Sequence, residues 1–272
     1  MKLNTADIYR FSPRSTVVLI AVSAVSALGF LWPFIAPTGT SAKSAQWFFI
    51  IALPLALLLL IAELSNKNMD AKSVALLGVL AALIAALRPL GTGVAGIEPM
   101  WFLLILSARV FGSAFGFILG ILSMLTSALL TGGLGPWLSY QIFAAAWIGL
   151  VAGLLPSKVR GRKEIAMLVV YCAFAALLFG TLMDLHFWPW ALGMNTQLSF
   201  VPGAPVANNI HRFFIFHFAT SMAWDIPRAI FTSTLVIITG PSVLSALRRT
   251  HFKASFLSPI EFIEHVKARK AE

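Results

Sequence analysis

The sequence predicts an all-α, polytopic transmembrane bundle of about eight helices, and its composition carries this prediction. Of the 272 residues, 59% are hydrophobic and 11% are charged, whereas soluble domains contain about 45–50% apolar and about 25% charged residues. A bilayer-spanning helix needs about 20 apolar residues, so this apolar content corresponds to about eight spans. The composition excludes a soluble enzyme, a disordered chain and a β-barrel porin, whose strands alternate with polar residues.

Hydropathy windows of about 19 residues place the spans along the chain. The predicted spans cover residues 16–36, 46–64, 73–87, 99–108, 113–130, 137–155, 165–185 and 213–239. No small-residue cleavage site closes the first span, so we expect it to remain in the membrane. A glycine-rich loop precedes the short span at 99–108, and a long polar, aromatic-rich connection covers 186–211.

Basic residues predict the orientation of the bundle. The chain has 20 Lys and Arg against 10 Asp and Glu, a formal net charge of +10. With both termini in the cytoplasm, sixteen of the 20 basic residues lie on the cytoplasmic side, including Arg109 and the cluster at 158–163, as the positive-inside rule requires. The positive charge is therefore an orientation signal in the cell membrane, and we expect no nucleic-acid partner.

The sequence offers no catalytic or metal-binding motif. It contains no H-E-x-x-H helix, nucleophile elbow or phosphate-binding loop, and its five histidines form no i, i+4 pair in a span. A single cysteine, Cys172, allows neither a disulfide framework nor a cysteine-based metal site. We therefore expect no enzymatic activity, no resident cofactor and no bound metal.

Polar and aromatic side chains gather at the span ends that the orientation places outside. Such aromatics are common at membrane interfaces, but mixed with amides and charges they also suit a flat heterocyclic ligand. This pattern predicts a substrate site formed by Arg88, Glu98, Trp137, Tyr140, Gln141, Asp184, His186, Trp188, Asn208, His211, Trp224, Asp225 and Arg228. An aromatic heterocycle such as a flavin, a benzimidazole or a corrinoid is favoured over an inorganic ion.

Within the last span, Asp225 requires a partner, because a carboxylate near the bilayer centre costs about 2.5–3.5 kcal/mol. Arg228 lies three residues later on the same helix face. The two residues form either a structural ion pair or a pair that releases one partner to the substrate. Pro227 is expected to kink the helix between them.

Small residues repeat at helical spacing in two segments. Gly112, Gly116 and Gly120 share one face and predict close helix packing. A second series of small residues, which we call the small-residue face, consists of Ala71, Ala75, Gly78, Ala82 and Ala86. This face either packs within the chain's own bundle or docks another membrane protein.

Two segments resemble the substrate-binding S components of energy-coupling factor (ECF) vitamin transporters. The first is residues 107–120, SARVFGSAFGFILG, and the second is residues 130–137, LTGGLGPW, followed by Gln141, Trp147, Gly149 and Gly153. The alanine-rich helix at 71–86 is similar to the family's first core helix and its A-x-x-x-A docking motif. The resemblance covers about residues 72–248.

The resemblance implies a six-helix core at 72–248 that binds a vitamin or related micronutrient near the outer face. It also implies partners: a transmembrane T component, docked on the small-residue face, and two cytoplasmic ABC-type ATPases. Residues 1–71 would then be a cytoplasmic N-terminus with two accessory spans. Residues 249–272 would be a basic cytoplasmic tail, in which Ser258 and Glu261 indicate an amphipathic helix. The alternatives are a stand-alone secondary transporter of a small organic solute and, less directly, a membrane enzyme or lipid-binding scaffold.

Overall fold

The computed structural model describes residues 11–35, 71–91, 96–135, 137–191 and 196–256, with side chains as far as residue 251. All regular elements in these ranges are helices. The predicted span at 46–64 and the predicted tail helix after residue 257 lie outside the described residues.

Eight α-helices and one short 3₁₀ helix follow one another in the described ranges. They are α1 (Pro13–Ile35), α2 (Ala71–Leu87), the 3₁₀ helix (Arg88–Gly91), α3 (Met100–Phe111), α4 (Ser113–Thr131), α5 (Trp137–Leu154), α6 (Arg162–Ala191), α7 (Val206–Thr220) and α8 (Met222–Phe256). Six of these helices, namely α1, α2, α4, α5, α6 and α8, are long and apolar enough to cross a membrane. The predicted fold class, an all-helical bundle of apolar helices suited to a membrane, is therefore confirmed.

The short helix α3 is the centre of the bundle. Its 12 residues extend about 18 Å, and nine of them are buried, among them Leu104, Ile105 and Ala108. It packs against α4, α5 and α8. Because other helices surround it, α3 does not need the length of a lipid-facing helix.

Helices α4 and α5 approach to backbone contact, as the glycine spacing predicts. A methyl group added at Gly116 would overlap the carbonyl of Gly149, and one at Gly149 would overlap the backbone of Gly116. One turn along, a methyl group at Gly120 would overlap the backbone of Ala145. The close packing predicted for this glycine series is thus confirmed, and its partner is α5.

The single span predicted at 213–239 is wrong, because two helices share this segment. Helix α7 ends at Thr220 and α8 begins at Met222, with Ser221 between them. Pro227 lies inside α8, where it has no N–H to donate to the carbonyl of Ala223. The two helices also have different neighbours, since α7 packs against α1 and α6 while α8 packs against α6 and α3.

The N-terminal helix α1 packs against α5, α6 and α7. Its Phe30 lies edge-on to Tyr140, with 5.1 Å between the ring centroids, and the indole of Trp147 donates a hydrogen bond to the Ser23 hydroxyl at 3.1 Å. These contacts make α1 part of the same bundle as the predicted core.

Candidate functional site

An open cleft of about 460 Å³ lies between α6, α7 and α8. Most of its walls are apolar, and four of the predicted substrate-binding residues lie on it: Asp184, Trp224, Asp225 and Arg228. The other lining residues are Phe179, Gly180, Met183, Phe187, Ala191, Phe216, Thr220 and Ser221. A mostly apolar cavity with a few converging polar groups is the usual form of a site for a small organic molecule.

Asp225 and Arg228 form an ion pair at the floor of the cleft, as their spacing predicts. Nη1 of Arg228 lies 2.6 Å from Oδ1 of Asp225, and both side chains are almost fully buried. The Ser221 hydroxyl donates to Oδ2 of Asp225 at 3.0 Å. Arg228 has a second acidic partner, because its Nε lies 3.0 Å from Oε2 of Glu98. The guanidinium also lies over the ring of Phe179, 5.1 Å from its centroid.

Gly180 on α6 makes room for this ion pair. A methyl group at this position would overlap the carboxylate of Asp225. Helices α6 and α8 pack closely against each other. The absence of a side chain at Gly180 leaves space for the carboxylate of Asp225 between them.

Asp184 and His217 form a second polar pair on the cleft. Nδ1 of His217 lies 2.8 Å from Oδ2 of Asp184, and Nε2 of His217 lies 3.3 Å from the Thr181 hydroxyl. The side chain of His217 is 7% exposed and that of Asp184 is 15% exposed. The pair joins α6 to α7 and leaves Asp184 accessible from the cleft.

Other predicted site residues pair with one another away from the cleft. Nη2 of Arg88 donates to Oε1 of Gln141 at 2.7 Å, which links the end of α2 to α5. The rings of Tyr140 and His186 lie against each other with 3.8 Å between their centroids. These contacts join α2, α5 and α6 at one end of the bundle.

The remaining predicted residues have different surroundings. Trp188 is fully buried, and its indole donates to the carbonyl of Leu198 at 2.7 Å, so it anchors the 196–200 segment. Asn208 and His211 line a separate shallow pocket on α7. Trp137 is 44% exposed at the start of α5.

A second charge cluster joins α3, α6 and α8 far from the cleft. Nε of Arg109 lies 2.9 Å from Oε1 of Glu164, and Nη2 of Arg248 lies 2.6 Å from the same oxygen. Arg109 also donates to the carbonyls of Leu155, Pro156 and Val159. Arg228 and Arg248 are twenty residues apart on α8, about 30 Å at 1.5 Å per residue. The two charge clusters therefore lie at opposite ends of the bundle.

A third arginine, Arg160, borders this cluster in the loop before α6. Its Nη1 lies 3.7 Å from Oε1 of Glu164, and its side chain is 39% exposed. Burial, followed by the nearby positive charge of Arg248, lowers the pKa of Arg160 below its usual value. The buried carboxylate of Glu164 is thus within 4 Å of three guanidinium groups.

The small-residue face is exposed in the described part of the bundle. All five of its residues are exposed, and a methyl group at Gly78 would meet no atom within 4 Å. The opposite face of α2, with Leu77, Leu80 and Ile84, is buried, and α2 packs chiefly on α4.

No family model, curated protein or solved structure matches this chain. The site is therefore interpreted from its own geometry. Across the ranges that the structure describes, no three His, Cys, Asp or Glu side chains come together as a metal site.

Sequence reasoning missed His217, Ser221, Gly180 and Glu164. A signal existed for the first two, because His217, Ser221, Asp225 and Arg228 follow at intervals of four, four and three in an otherwise apolar segment, which places them on one helix face. Glu164 is the one acid after a run of basic residues at 158–163. Only the fold shows that Gly180 lies beside Asp225.

Proposed function

We propose that this chain is the membrane-embedded substrate-binding subunit of an ECF-type ABC importer. In this proposal both termini are cytoplasmic and the bundle has about eight spans. The cleft between α6, α7 and α8 captures a vitamin or related micronutrient at the outer face of the cell membrane. A T component and two ATPases then drive its delivery inward.

The single observation that carries the proposal is the cleft itself. It combines apolar walls with the buried Asp225–Arg228 pair at the end of α8 opposite Arg248. The separation of about 30 Å between the two ends matches the hydrocarbon thickness of a bilayer. The basic cluster around Arg109 and Arg160 favours a cytoplasmic position for its end, and this supports an outer position for the cleft.

The exposed small-residue face supports the partner in this proposal. In lipid, helices associate through close van der Waals packing, which small side chains permit. The face consists of alanine and glycine along α2 and is open in the described bundle. A transmembrane T component fits this surface, as the resemblance to S components implies.

The first test is to identify the ligand. Native mass spectrometry of the purified full-length protein should detect a co-purified organic molecule. A bound metal ion with no organic ligand would contradict the proposal.

The second test separates the proposal from a stand-alone carrier. In liposomes, the purified chain should bind its ligand but accumulate it only when the T component and ATPases are present with ATP. Accumulation by the chain alone would instead identify a secondary transporter.

A third test concerns the small-residue face. Replacing Gly78 or Ala82 with leucine should abolish capture of the T component without changing ligand binding, because the larger side chain prevents close approach. The matched control is Ala207→Leu, which enlarges an exposed alanine on α7. If all three variants capture the T component equally well, the small-residue face is not its docking surface.

A further inference from the structure

One acidic residue on the cleft has no arginine partner among the described residues. The described part of the chain contains four acidic residues, and three of them contact an arginine: Glu98, Glu164 and Asp225. The fourth, Asp184, contacts the imidazole of His217. Beside the cleft, Arg228 bonds both Asp225 and Glu98. Each of these two carboxylates therefore has a guanidinium partner.

The carboxylate of Asp184 keeps one oxygen for a ligand. His217 occupies Oδ2, while Oδ1 accepts no hydrogen bond from the described residues. The side chain lines the cleft and is partly exposed. An ionised carboxylate of this kind is stabilised by a positively charged hydrogen-bond donor or by a nearby cation.

The apolar walls of the cleft suit the rest of such a ligand. Phe187 and Trp224 are 57% and 51% exposed at the cleft, and Phe216 is buried in its wall. Aromatic rings attract cations through their negatively charged faces. The same rings bury apolar parts of an organic molecule.

We infer that the cleft binds an organic cation, with the carboxylate of Asp184 as its counter-charge and Trp224 and Phe187 as aromatic contacts. This inference rests on the proposed function and specifies its substrate class: a micronutrient that carries a positive charge on an apolar or aromatic body. A neutral ligand adds no charge to the contact of Asp184 with His217, and an anionic ligand is repelled by the carboxylate.

The test compares three small aromatic probes of different charge on the full-length protein in nanodiscs of zwitterionic lipid. The probes are benzyltrimethylammonium, benzamide and benzenesulfonate, and binding is followed by calorimetry and by tryptophan fluorescence. The cation should bind at least about tenfold more tightly than the other two, because only its charge is attracted by the Asp184 carboxylate and by the faces of the aromatic rings. Equal binding of the neutral probe, or preference for the anion, overturns the inference.

Variants assign the effect to Asp184. Asp184→Asn should weaken cation binding by about tenfold or more, and Asp184→Glu should retain most of it. The matched control is Gln197→Lys, which changes the net charge of the protein by the same amount on an exposed residue outside the cleft. Unchanged cation binding in Asp184→Asn overturns the inference. If that variant does not fold, Trp224→Leu takes its place and should also weaken binding.

The outcomes separate this inference from the proposed function. A co-purified ligand that is neutral or anionic, but whose accumulation requires the ATPases, overturns the inference and leaves the proposed function intact. If instead the ligand is a cation whose binding requires Asp184 and the chain accumulates it without the ATPases, the proposed function is overturned and the inference stands.

Discussion

Replacing Glu164 with glutamine should lower the free energy of unfolding by about 3–5 kcal/mol, the usual effect of removing one partner from a buried ion pair. The side chain of Glu164 is 2% exposed, and its Oε1 atom lies 2.9 Å from Arg109 and 2.6 Å from Arg248. Glutamine retains an acceptor oxygen of the same reach but carries no charge. The three guanidinium groups of the cluster then lose their shared counter-charge and repel one another.

The magnitude follows from the geometry of the cluster. Two unit charges about 4 Å apart interact by about 4 kcal/mol at an effective dielectric constant of about 20. For a protein of this size, each kcal/mol shifts the melting temperature by about 2–4 °C, so we expect a decrease of about 6–20 °C. Thermal unfolding in a fixed detergent, followed by circular dichroism and by size-exclusion chromatography, measures this change.

The control is Arg160→Gln, which removes the most exposed arginine of the same cluster. Its side chain is 39% exposed and 3.7 Å from Glu164, and exposed pairs of this kind contribute about 0–1 kcal/mol. The double variant Glu164→Gln/Arg248→Gln should recover part of the loss, because it removes one uncompensated positive charge. If Glu164→Gln and Arg160→Gln have the same melting temperature, water screens the cluster and the reasoning from burial is refuted.

Four further predictions concern packing and pairing elsewhere. Gly116→Ala should destabilise the protein by about 1–3 kcal/mol through overpacking, whereas Gly78→Ala should be neutral or stabilising by up to about 1 kcal/mol; equal melting temperatures would contradict this. Arg228→Met should lower the melting temperature more than Asp225→Asn does, because only the former removes the positive partner that Asp225 and Glu98 share. Asp225→Asn should weaken ligand binding while the protein stays folded; unchanged affinity would mean that the pair is structural. Trp188→Phe should speed hydrogen exchange in the 196–200 segment, since its carbonyl partner loses a donor.

Hydropathy predicted most of the described helices because each of them is a continuous apolar segment. The same method failed at residues 213–239, since the apolar character continues through the interruption at Ser221. A hydropathy window reports how apolar a segment is, but it does not show where one helix ends and the next begins. The interruption coincides with a change of neighbours between α7 and α8, which only the fold shows.

Pairing within a helix could be predicted, and pairing between distant helices could not. The spacing of Asp225 and Arg228 predicted their contact, which the structure confirms at 2.6 Å. The contact of Arg228 with Glu98 joins residues 130 positions apart, and no periodicity relates them. Glu164 was missed for the same reason, because its partners Arg109 and Arg248 belong to α3 and α8.

The predicted site residues share one end of the bundle, but the rotation of each helix decides which of them face the cleft. Trp188 and Asp184 are four residues apart on α6, yet Trp188 packs in the core and Asp184 lines the cleft. Asn208 and His211 lie on α7 like Phe216, yet they line a different pocket. The distribution of polar residues in the sequence predicts which end of the bundle holds the site, and helix packing decides which of those residues line the cleft.

Charge balance separates structural charges from those available to a ligand in this bundle. An ionised side chain inside a membrane protein is costly unless it is paired, so a contact between Glu98 and Arg228, or between Glu164 and Arg109, is sufficient to explain those residues. The imidazole of His217 does not give Asp184 the permanent opposite charge that an arginine gives. Asp184 is also the acidic residue of the described bundle that combines this incomplete pairing with an open apolar cavity. A substitution at Asp184 should therefore alter ligand affinity more than it alters the melting temperature.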